Sequence, residues 1–354
     1  MSAEPDSTIC AANPLVSIVS VYYNRQGFIT ESINSLLEQT YQNLEIIVID
    51  DGSTDDTYTK LKAIQDSRLT VISHANMGFT RSIKQAVALT KGEYVAVHGS
   101  GDISLPTRIE KQVALLQQRP DVGVVGCYVE TINEWAGYSL PYERKLEGNI
   151  TKAAQQINPF THGEVMFRRS VYESVGGYRE FFRYAQDYDL WLRISLQANF
   201  EIVTESLYKR FIFPTSVSAS IDKVVVQKCL SSFAVQCIDQ RIEHGADLID
   251  RYGEYAAFFR TRDRKLAKEL WKLAIKLIYV GDFSKAGQVN RLSINEVNLG
   301  INFITQGVIY LLQNYQLMRQ AIALIFMLLG KVPALKMNRM GVFAKQQQEN
   351  NHAT

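Results

Sequence analysis

The sequence predicts an α/β fold in which a Rossmann-like, mostly parallel sheet is followed by an α-helical C-terminal region. From residue 14 to about 126, short runs of β-branched residues alternate with amphipathic helices. The strand segments are nearly continuous in apolar residues, which is typical of strands buried on both faces of a parallel sheet. Beyond about residue 220 the strand pattern ends, and helical periodicity dominates up to about residue 335.

The first half of the chain repeats a strand–helix unit. In chain order, the pattern predicts a strand at 15–23, a helix at 27–39, strands at 44–50 and 69–74, a helix ending at Gly92, a strand at 93–98, a helix at 105–118 and a strand at 122–130. Ser104 is the expected N-cap of the 105–118 helix, since Pro106 falls in its first turn. Further helices are predicted at 169–177, 186–198 and 264–281, and a strand at 200–213.

The chain length of 354 residues predicts about two domains. We expect a flexible tail at 1–13, one α/β domain at 14–220, a helical region at 221–340 and a disordered tail at 341–354. The last of these segments ends in QQQENNHAT, a polar composition that does not build a core.

Composition places the chain among ordinary globular proteins, because 46% of its residues are hydrophobic and 21% are charged. A net charge of +2 provides no basic field for a polyanion, so we expect no nucleic-acid partner. The four cysteines form no CxxC pair, and residues 1–13 lack the basic and apolar regions of a secretory signal. We therefore expect a cytoplasmic protein with reduced thiols.

The apolar segment at 301–335 supports two interpretations. Its longest uninterrupted apolar run, 321–329, has nine residues, whereas a membrane-spanning helix needs about 20. One interpretation is a helix that packs against the rest of the protein. The other is a helix that lies on an anionic membrane surface, for which the flanking cations Lys331 and Arg339 are suited.

The segment DDGSTDDT, at 50–57, is the strongest local signal. It follows an apolar strand directly, and the ligands of open α/β sheets bind at the carboxyl ends of strands. An aspartate there accepts hydrogen bonds from a base N–H or a ribose hydroxyl. The alternative is a plain turn, since Asp, Gly, Ser and Thr are common turn residues. The first strand is followed by YYNRQG rather than GxGxxG, which disfavours a dinucleotide-binding oxidoreductase.

Two further clusters carry carboxylates. In VHGSGDISLP, at 97–106, Asp102 follows the fourth strand and can serve Mg²⁺ beside phosphate oxygens, or simply cap a turn. In YAQDYDLWLRIS, at 184–195, Asp187 and Asp189 begin an apolar helix, where a carboxylate is either a base or a cap favoured by the helix dipole. His162 and Glu164 form a polar patch upstream, for which a structural role is the alternative.

The order and spacing of these segments resemble family 2 glycosyltransferases, which are inverting enzymes with the A-type glycosyltransferase fold. The similarity runs from about residue 14 to 220. It is carried by PLVSIVSVYYN, VIDDGSTDDT, NMGFTRSIKQAVALTKGEYVA, GDISLPTRIEKQ, THGEVMFRRSVYESVGGYRE and AQDYDLWLRIS. The resemblance implies a UDP-, GDP- or dTDP-linked sugar donor and a glycan or lipid-linked acceptor.

The resemblance also implies roles for individual residues. Nucleotide binding falls to Tyr22, Asn24, Asp50, Asp51, Gly78 and Arg81, catalysis as the general base to Asp187, and acceptor contact or support to His162, Gln186 and Trp191. Which of Asp50 and Asp51 meets the base stays open. We expect the distant carboxylates at 50/51, 102 and 187 to converge around one activated sugar.

The chain departs from the family in its metal loop. The family commonly has Asp-x-Asp-Asp there, whereas this chain has Gly99, Ser100, Gly101 and Asp102. The position usually credited with the metal bond aligns with Gly101. Either Asp102 holds the divalent cation, Mg²⁺ or Mn²⁺, or cations such as Arg81 neutralise the diphosphate. Lys84 adds a positive charge where the family usually has Asn.

The resemblance as a whole implies an inverting glycosyltransferase of cell-surface polysaccharide or glycolipid assembly, peripheral on the inner face of the membrane. The alternative is a non-catalytic homologue that binds a nucleotide sugar or a glycan and has a degenerate metal loop.

Overall fold

The computed structural model describes residues 13–134, 137–146, 148–213 and 220–315. The strands are β1 (Val16–Tyr22), β2 (Leu44–Asp50), β3 (Leu69–Ser73), β4 (Tyr94–Gly99), β5 (Ile103–Ser104), β6 (Val122–Asn133), β7 (Tyr138–Tyr142), β8 (Met166–Arg168) and β9 (Asn199–Phe211). The helices are α1 (Ile29–Leu37), α2 (Thr57–Ala63), α3 (Phe79–Ala88), α4 (Arg108–Gln118), α5 (Ile150–Gln156), α6 (Arg169–Ser174), α7 (Gln186–Ile194), α8 (Ile221–His244), α9 (Leu248–Tyr252), α10 (Arg264–Tyr279), α11 (Phe283–Glu296) and α12 (Ile301–Asn314).

The chain forms two compact units, each assembled from separate stretches of sequence. The first contains the described residues up to Tyr128 together with Phe160–Gly177 and Gln197–Tyr208. The second contains the described residues within Val129–Pro159, Tyr178–Leu196 and those from Lys209 onward. The domain boundaries expected from the sequence, at residues 14, 220 and 340, stay a prediction.

A mixed sheet organises the first unit. β1 pairs in parallel with β2 and β4, and β2 pairs in parallel with β3. β8 then joins β4 in antiparallel direction and is itself antiparallel to β6, which gives the order β3-β2-β1-β4-β8-β6-β9-β5. The predicted fold class is confirmed, including the parallel strands of its first half and the helices of its C-terminal region.

Burial on both sheet faces explains why these strands form where they do. Every residue of β1 is buried, and six of the seven residues of β2 are. α1 and α4 supply the apolar residues that cover the sheet, Ile29, Ile33, Leu36, Ile109, Val113 and Leu116. At about 25 cal/mol per Å² of apolar surface, this burial is the main source of stability in the unit.

The expected N-cap at Ser104 is wrong by three residues. Ser104 lies in β5, and α4 begins at Arg108 with Thr107 as its N-cap residue. No side-chain cap bond forms at Thr107. Instead, the side chain of Gln39 accepts a hydrogen bond from the backbone N–H of Ile109 at 3.2 Å. A residue of the loop after α1 thus satisfies one N–H at the start of α4, and a partner so far away in sequence leaves no local signal.

The second unit is largely helical. One apolar cluster forms between α7 and α8 around Phe182, Tyr188 and Phe233. Another forms where α10, α11 and α12 meet, around Leu270 and Ile309. Among the described residues, no helix has both the length and the apolar character that crossing a bilayer requires. The predicted tails and the segment at 316–340 lie outside the described residues.

A buried ion cluster fixes α7 within the second unit. Asp189 of α7 binds the guanidinium groups of Arg179 and of Arg193, the latter at 2.7 Å. Arg179 also contacts Asp247 at 2.8 Å, and Asp247 binds Arg241 at 2.7 Å. Asp247 is fully buried and also accepts hydrogen bonds from two backbone amides at the start of α9. The cluster therefore anchors both helices.

Replacing Asp247 with asparagine should destabilise the protein by about 1–3 kcal/mol, because two partly buried guanidinium groups lose a shared, charge-assisted hydrogen-bond acceptor. Thermal unfolding measures the change. The control is Asp222→Asn, which removes the partner of Lys285 from an exposed ion pair and should change stability by less than about 1 kcal/mol. Equal melting temperatures for the Asp247 variant and the wild type would contradict the structural role of the cluster.

Acid should remove the contribution of Asp247. Burial alone would raise the pKa of its carboxyl, but Arg179 and Arg241 outweigh burial and hold the pKa below the ordinary value. The contribution is therefore present above the unfolded pKa of about 4 and is lost as pH falls through the lower folded pKa. The stability difference between wild type and Asp247→Asn should accordingly be constant at neutral pH and shrink below about pH 4.

Candidate functional site

The carboxyl ends of three neighbouring parallel strands form the candidate site in the first unit. Strand register places Tyr22 of β1 beside Asp50 of β2, and Val21 of β1 beside Gly99 of β4. The loops that follow β1, β2 and β4 therefore leave the sheet side by side. This edge is where open α/β sheets bind ligands.

Asn24 locks the first two loops together. Its backbone N–H donates to Ser53 Oγ at 3.0 Å, and its side-chain Oδ1 accepts from the backbone N–H of Thr54 at 2.8 Å. Asn24 has a φ of 50°, a left-handed conformation that is uncommon outside glycine. Strained backbone of this kind persists where the surroundings fix it, and it is concentrated at functional sites.

Asp51 connects the loop after β2 to the start of α3. Its Oδ1 accepts from the backbone N–H of Met77 at 2.9 Å and from Ser82 Oγ at 2.9 Å. Its Oδ2 accepts from the backbone N–H of Gly78 at 3.1 Å. Only 3% of Asp51 is exposed. The carboxylate therefore acts as a joint between two loops.

Asp50 is buried as deeply as Asp51 but has fewer donors. Its Oδ2 accepts from Ser73 Oγ at 2.7 Å, and its Oδ1 accepts weakly from the backbone N–H of Ser53 at 3.3 Å. A carboxylate has about four acceptor sites, so Asp50 retains more accepting capacity than Asp51 does.

Gly78 and Arg81 lie at the N-terminus of α3. Gly78 is the N-cap residue, and its carbonyl accepts from the backbone N–H of Arg81 at 3.1 Å. Arg81 and Lys84 lie one helical turn apart, and both are exposed. The first turn of α3 thus presents positive charge and the positive end of a helix dipole, an arrangement that suits a phosphate.

The two tyrosines that end the first strand segment have different environments. Tyr22 is fully buried, and its hydroxyl donates to Ser32 Oγ at 2.9 Å. Burial raises the pKa of Tyr22 to about 12, so the hydroxyl stays protonated. Direct contact of the Tyr22 side chain with a nucleotide does not fit this position. Tyr23, which follows it, is 46% exposed and offers a ring face to solvent.

Asp102, the predicted metal residue, is turned into the protein. Its Oδ2 accepts a hydrogen bond from the hydroxyl of Tyr208 at 2.8 Å, and only 7% of the residue is exposed. The same tyrosine hydroxyl accepts from the backbone N–H of Gly99 at 2.8 Å. Tyr208 thus holds both ends of the loop at 99–102.

The protein supplies few ligands for a divalent cation around Asp102. Mg²⁺ needs several oxygen ligands, of which a protein normally supplies one or two carboxylates while phosphates and waters supply the rest. Asp102 is the single carboxylate of the loop, and Tyr208 binds one of its oxygens. Within the described parts of the chain, no group of three or more His, Cys, Asp or Glu side chains is placed to hold a metal.

A buried polar network around Tyr208 supports the loop at 99–102. Arg108 is fully buried, lies over the Tyr208 ring at 4.9 Å and donates to the backbone carbonyl of Val97 at 2.9 Å. His98 contacts the Tyr208 ring edge-on, and its Nε2 lies 2.9 Å from Ser32 Oγ. Burial and then Arg108 lower the pKa of His98 to about 3, so this histidine is neutral at physiological pH.

Asp187, the predicted base, lies in the second unit at the start of α7. Its Oδ2 accepts from Asn158 Nδ2 at 2.9 Å, and 8% of the residue is exposed. Tyr184, two residues before the start of α7, has a left-handed φ of 71°. Gln186 is buried beside Asp187, whereas Trp191 is fully buried. Trp191 therefore fits the supporting role rather than acceptor contact.

His162 lies in the first unit, next to the start of α3. Its ring contacts Phe79 edge-on at 5.7 Å, and its φ of 84° is left-handed. The neighbouring Glu164 is buried and accepts from the backbone N–H of Thr161 at 2.7 Å. The polar patch predicted here is thus an ordered loop in which Glu164 is structural.

The structure brings together one part of the predicted site. Asn24, Asp50, Asp51 and Gly78 meet through their loops, and Asp102 follows the adjacent strand. Asp187 belongs to the other unit, so its convergence with these carboxylates stays a prediction.

Sequence reasoning missed four residues of this region. Arg25 belongs to the YYNRQG segment, and its positive charge next to the aspartates of the site was the signal that could have identified it. Tyr23 belongs to the same segment. Tyr208 and Asn158 gave no signal, because each is distant in sequence from the aspartate that it binds.

Comparisons with known proteins find sequence relatives that cover 51–62% of the chain. The family model described as glycosyl transferase family 2 matches residues 17–176. An uncharacterized glycosyltransferase of Haemophilus influenzae is 35% identical over 195 residues, which cover 51% of this chain and 60% of that protein. The putative glycosyltransferase EpsE of Bacillus subtilis is 33% identical over 236 residues, covering 62% of this chain and 83% of that protein.

Two further similarities extend this picture. The O-antigen biosynthesis glycosyltransferase WbnJ of Escherichia coli is 30% identical over 185 residues, covering 51% of this chain and 71% of that protein. The crystal structure of S. aureus TarS 1-349 in complex with UDP-GlcNAc has a TM-score of 0.50 at 16% sequence identity, covering 87% of this chain and 91% of that one. The structural similarity supports the fold.

Replacing Asp51 with asparagine should destabilise the protein by about 1–3 kcal/mol, since an amide NH₂ would face backbone N–H donors that lose their acceptor. Thermal unfolding measures the loss. The matched control is Asp56→Asn, because Asp56 is exposed and its side chain makes no cap bond to α2. An Asp51 variant that melts at the wild-type temperature would show that the joint between the two loops is dispensable.

Proposed function

This chain belongs to glycosyl transferase family 2, and from that premise we propose that it is an inverting glycosyltransferase that uses a nucleoside-diphosphate sugar. The observation that carries the proposal is the set of hydrogen bonds that join the loops after β1, β2 and β3 at one sheet edge. Loops fixed in this way suit a nucleotide, because they lose less conformational entropy when the ligand binds.

In the proposed complex, each loop residue meets a different part of the donor. Tyr23 stacks on the base in place of Tyr22, since Tyr23 is the exposed ring at the end of the strand segment. Asp50 retains capacity to accept from the base or the ribose. Arg81 binds phosphate oxygens at the start of α3, where the helix dipole adds to its charge.

The proposed reaction is one in-line displacement. The acceptor oxygen forms a bond to the anomeric carbon while the bond from that carbon to the diphosphate oxygen breaks on the opposite face. The electron pair of the broken bond leaves with the nucleoside diphosphate, and the acceptor proton passes to the Asp187 carboxylate. Configuration inverts. A positioned base of this kind contributes about 10²–10⁴ in rate.

The pathway proposed is assembly of a cell-surface polysaccharide or glycolipid. The name of the similar WbnJ protein, an O-antigen biosynthesis glycosyltransferase, supports this class of acceptor. A UDP-linked sugar is the first donor to test, since TarS was crystallised with UDP-GlcNAc. The acceptor is then a glycan or lipid-linked glycan on the cytoplasmic side of the membrane.

The altered loop at 99–102 favours one alternative, a homologue that binds a nucleotide sugar or glycan without catalysis. Such a protein would bind UDP sugars yet release no UDP from them in the presence of any acceptor. Retention of Asp187, with its carboxylate positioned by Asn158, supports the enzyme instead.

Nucleotide binding should raise the melting temperature in a screen against UDP, GDP, dTDP and their sugars. A ligand present at 100 times its Kd adds about 2.7 kcal/mol to the stability of the folded state. Uridine serves as the control without phosphate and should stabilise less. A protein whose melting temperature is unmoved by every nucleoside diphosphate, with and without Mn²⁺, is incompatible with the proposed function.

Asp187→Asn should lower donor turnover by about 10²–10⁴, measured as release of the nucleoside diphosphate, while the thermal shift with that nucleotide stays at the wild-type value. The matched control is Asp239→Asn. Asp239 also accepts from a carboxamide, Gln155 Nε2 at 2.6 Å, and should tolerate the change. Wild-type turnover in the Asp187 variant would refute its assignment as the base.

The exposed apolar side chains of α12 support the proposed membrane contact. Phe303, Ile304 and Tyr310 are each at least 60% exposed. Replacing all three with serine should reduce flotation of the full chain with vesicles that contain anionic lipid. Leu292→Ser on α11 is the control, as Leu292 is also exposed but lies on a different helix. Unchanged flotation of the triple variant would exclude α12 as the contact.

A further inference from the structure

Arg25 lies at the sheet edge where the loops after β1 and β4 begin. The register of these strands pairs Val21 with Gly99, so the loop that contains Arg25 and the loop that ends at Asp102 leave the sheet as neighbours. The backbone N–H of Arg25 donates to Thr57 Oγ1 at 2.7 Å, and Thr57 is fully buried. The backbone of Arg25 is therefore fixed at this edge.

Two carboxylates act electrostatically on Arg25. Partial burial of the guanidinium lowers the pKa of Arg25, while the Asp102 and Asp55 carboxylates oppose that shift. Because an arginine starts from a pKa above about 12, the side chain keeps its positive charge at physiological pH. The loop at 99–102 thus has a permanent cation in the neighbouring loop, since the two loops follow strands that pair at Val21 and Gly99.

The glycines of the loop exclude further carboxylates. A Cβ atom at position 99 would overlap with Asp102 Oδ2. Gly101 has a φ of 92°, a conformation that aspartate adopts only with strain. In the conformation where Asp102 binds Tyr208, neither position accepts an acidic side chain without rearrangement, so Asp102 is the single carboxylate that this loop offers.

We propose that Arg25 occupies the role of the divalent cation, so that its guanidinium neutralises the donor diphosphate and transfer proceeds without metal. This inference rests on the proposed function of the same site. A guanidinium matches phosphate geometry with two parallel N–H donors, which a spherical cation does not provide. Asp102 is then a positioning residue, held by Tyr208 and orienting Arg25.

The test is isothermal titration of the full chain with UDP, GDP and dTDP, in EDTA and then in Mn²⁺, with uridine as the phosphate-free probe. EDTA should leave the Kd of the nucleotide that binds within about threefold of the Mn²⁺ value, a difference of less than about 1 kcal/mol. Arg25→Ala should raise the Kd of that nucleotide by about 10–100-fold, as expected for loss of a charge-assisted hydrogen bond. Uridine affinity should not change, because uridine has no phosphate.

Three variants make the result specific to the position. Arg25→Lys keeps the charge but not the paired donors, so it should recover part of the affinity. Arg119→Ala removes an exposed arginine that pairs with Asp121 at the end of α4, and it should bind as wild type. Asp102→Asn should weaken nucleotide binding when it is the single change. In the Arg25→Ala variant the same substitution should have little further effect, because a positioning residue acts through its partner.

The outcomes separate this inference from the function beneath it. If EDTA abolishes nucleotide binding, Mn²⁺ restores it and Arg25→Ala matches wild type, the inference is overturned while the proposed function stands. If Arg25→Ala weakens the binding of uridine and of UDP by the same factor, Arg25 is structural and the inference is again overturned. If no nucleoside diphosphate binds the wild type in either condition, the proposed function fails and the inference fails with it.

Discussion

The Asp51 carboxylate is the contact on which the candidate site depends most. Asp51 directly follows β2, yet the three donors to its carboxylate come from a segment that begins 26 residues later in the chain. An ionised carboxylate buried without such donors would cost several kcal/mol, so the segment and the aspartate require each other. The loop after β2 is also bound by Asn24, whose side chain accepts a hydrogen bond from the backbone N–H of Thr54. Asp51 and Asn24 together thus fix the relative positions of three loops.

The fold could be predicted because its signals are local. Nearly continuous apolar runs identified β1 and β2, and the DDGS segment at the end of β2 identified the edge where the loops meet. The same burial limited the prediction of site residues. When both faces of a strand are covered, no alternation of apolar and polar residues indicates which side chain leaves the core. The sequence therefore did not distinguish Tyr22 from Tyr23.

The parts that could not be predicted are tertiary contacts between distant residues. Tyr208 lies 106 residues after the aspartate that it binds, and the amide of Asn158 reaches Asp187 across 29 residues. Gln39, in the loop after α1, replaces the expected cap of α4 in the same way. Hydrogen bonds of this kind depend on how loops are placed once the sheet has formed, so no window of sequence contains them.

The crowding at position 99 has a consequence for how this loop can change by mutation. An aspartate there collides with Asp102, and moving Asp102 away breaks its bond to Tyr208, which also holds the backbone of the same loop. Each single step toward an acidic loop therefore passes through a less stable protein. The loop at 99–102 is thus coupled to Tyr208, so that a side chain added at position 99 alters the backbone support at the same time.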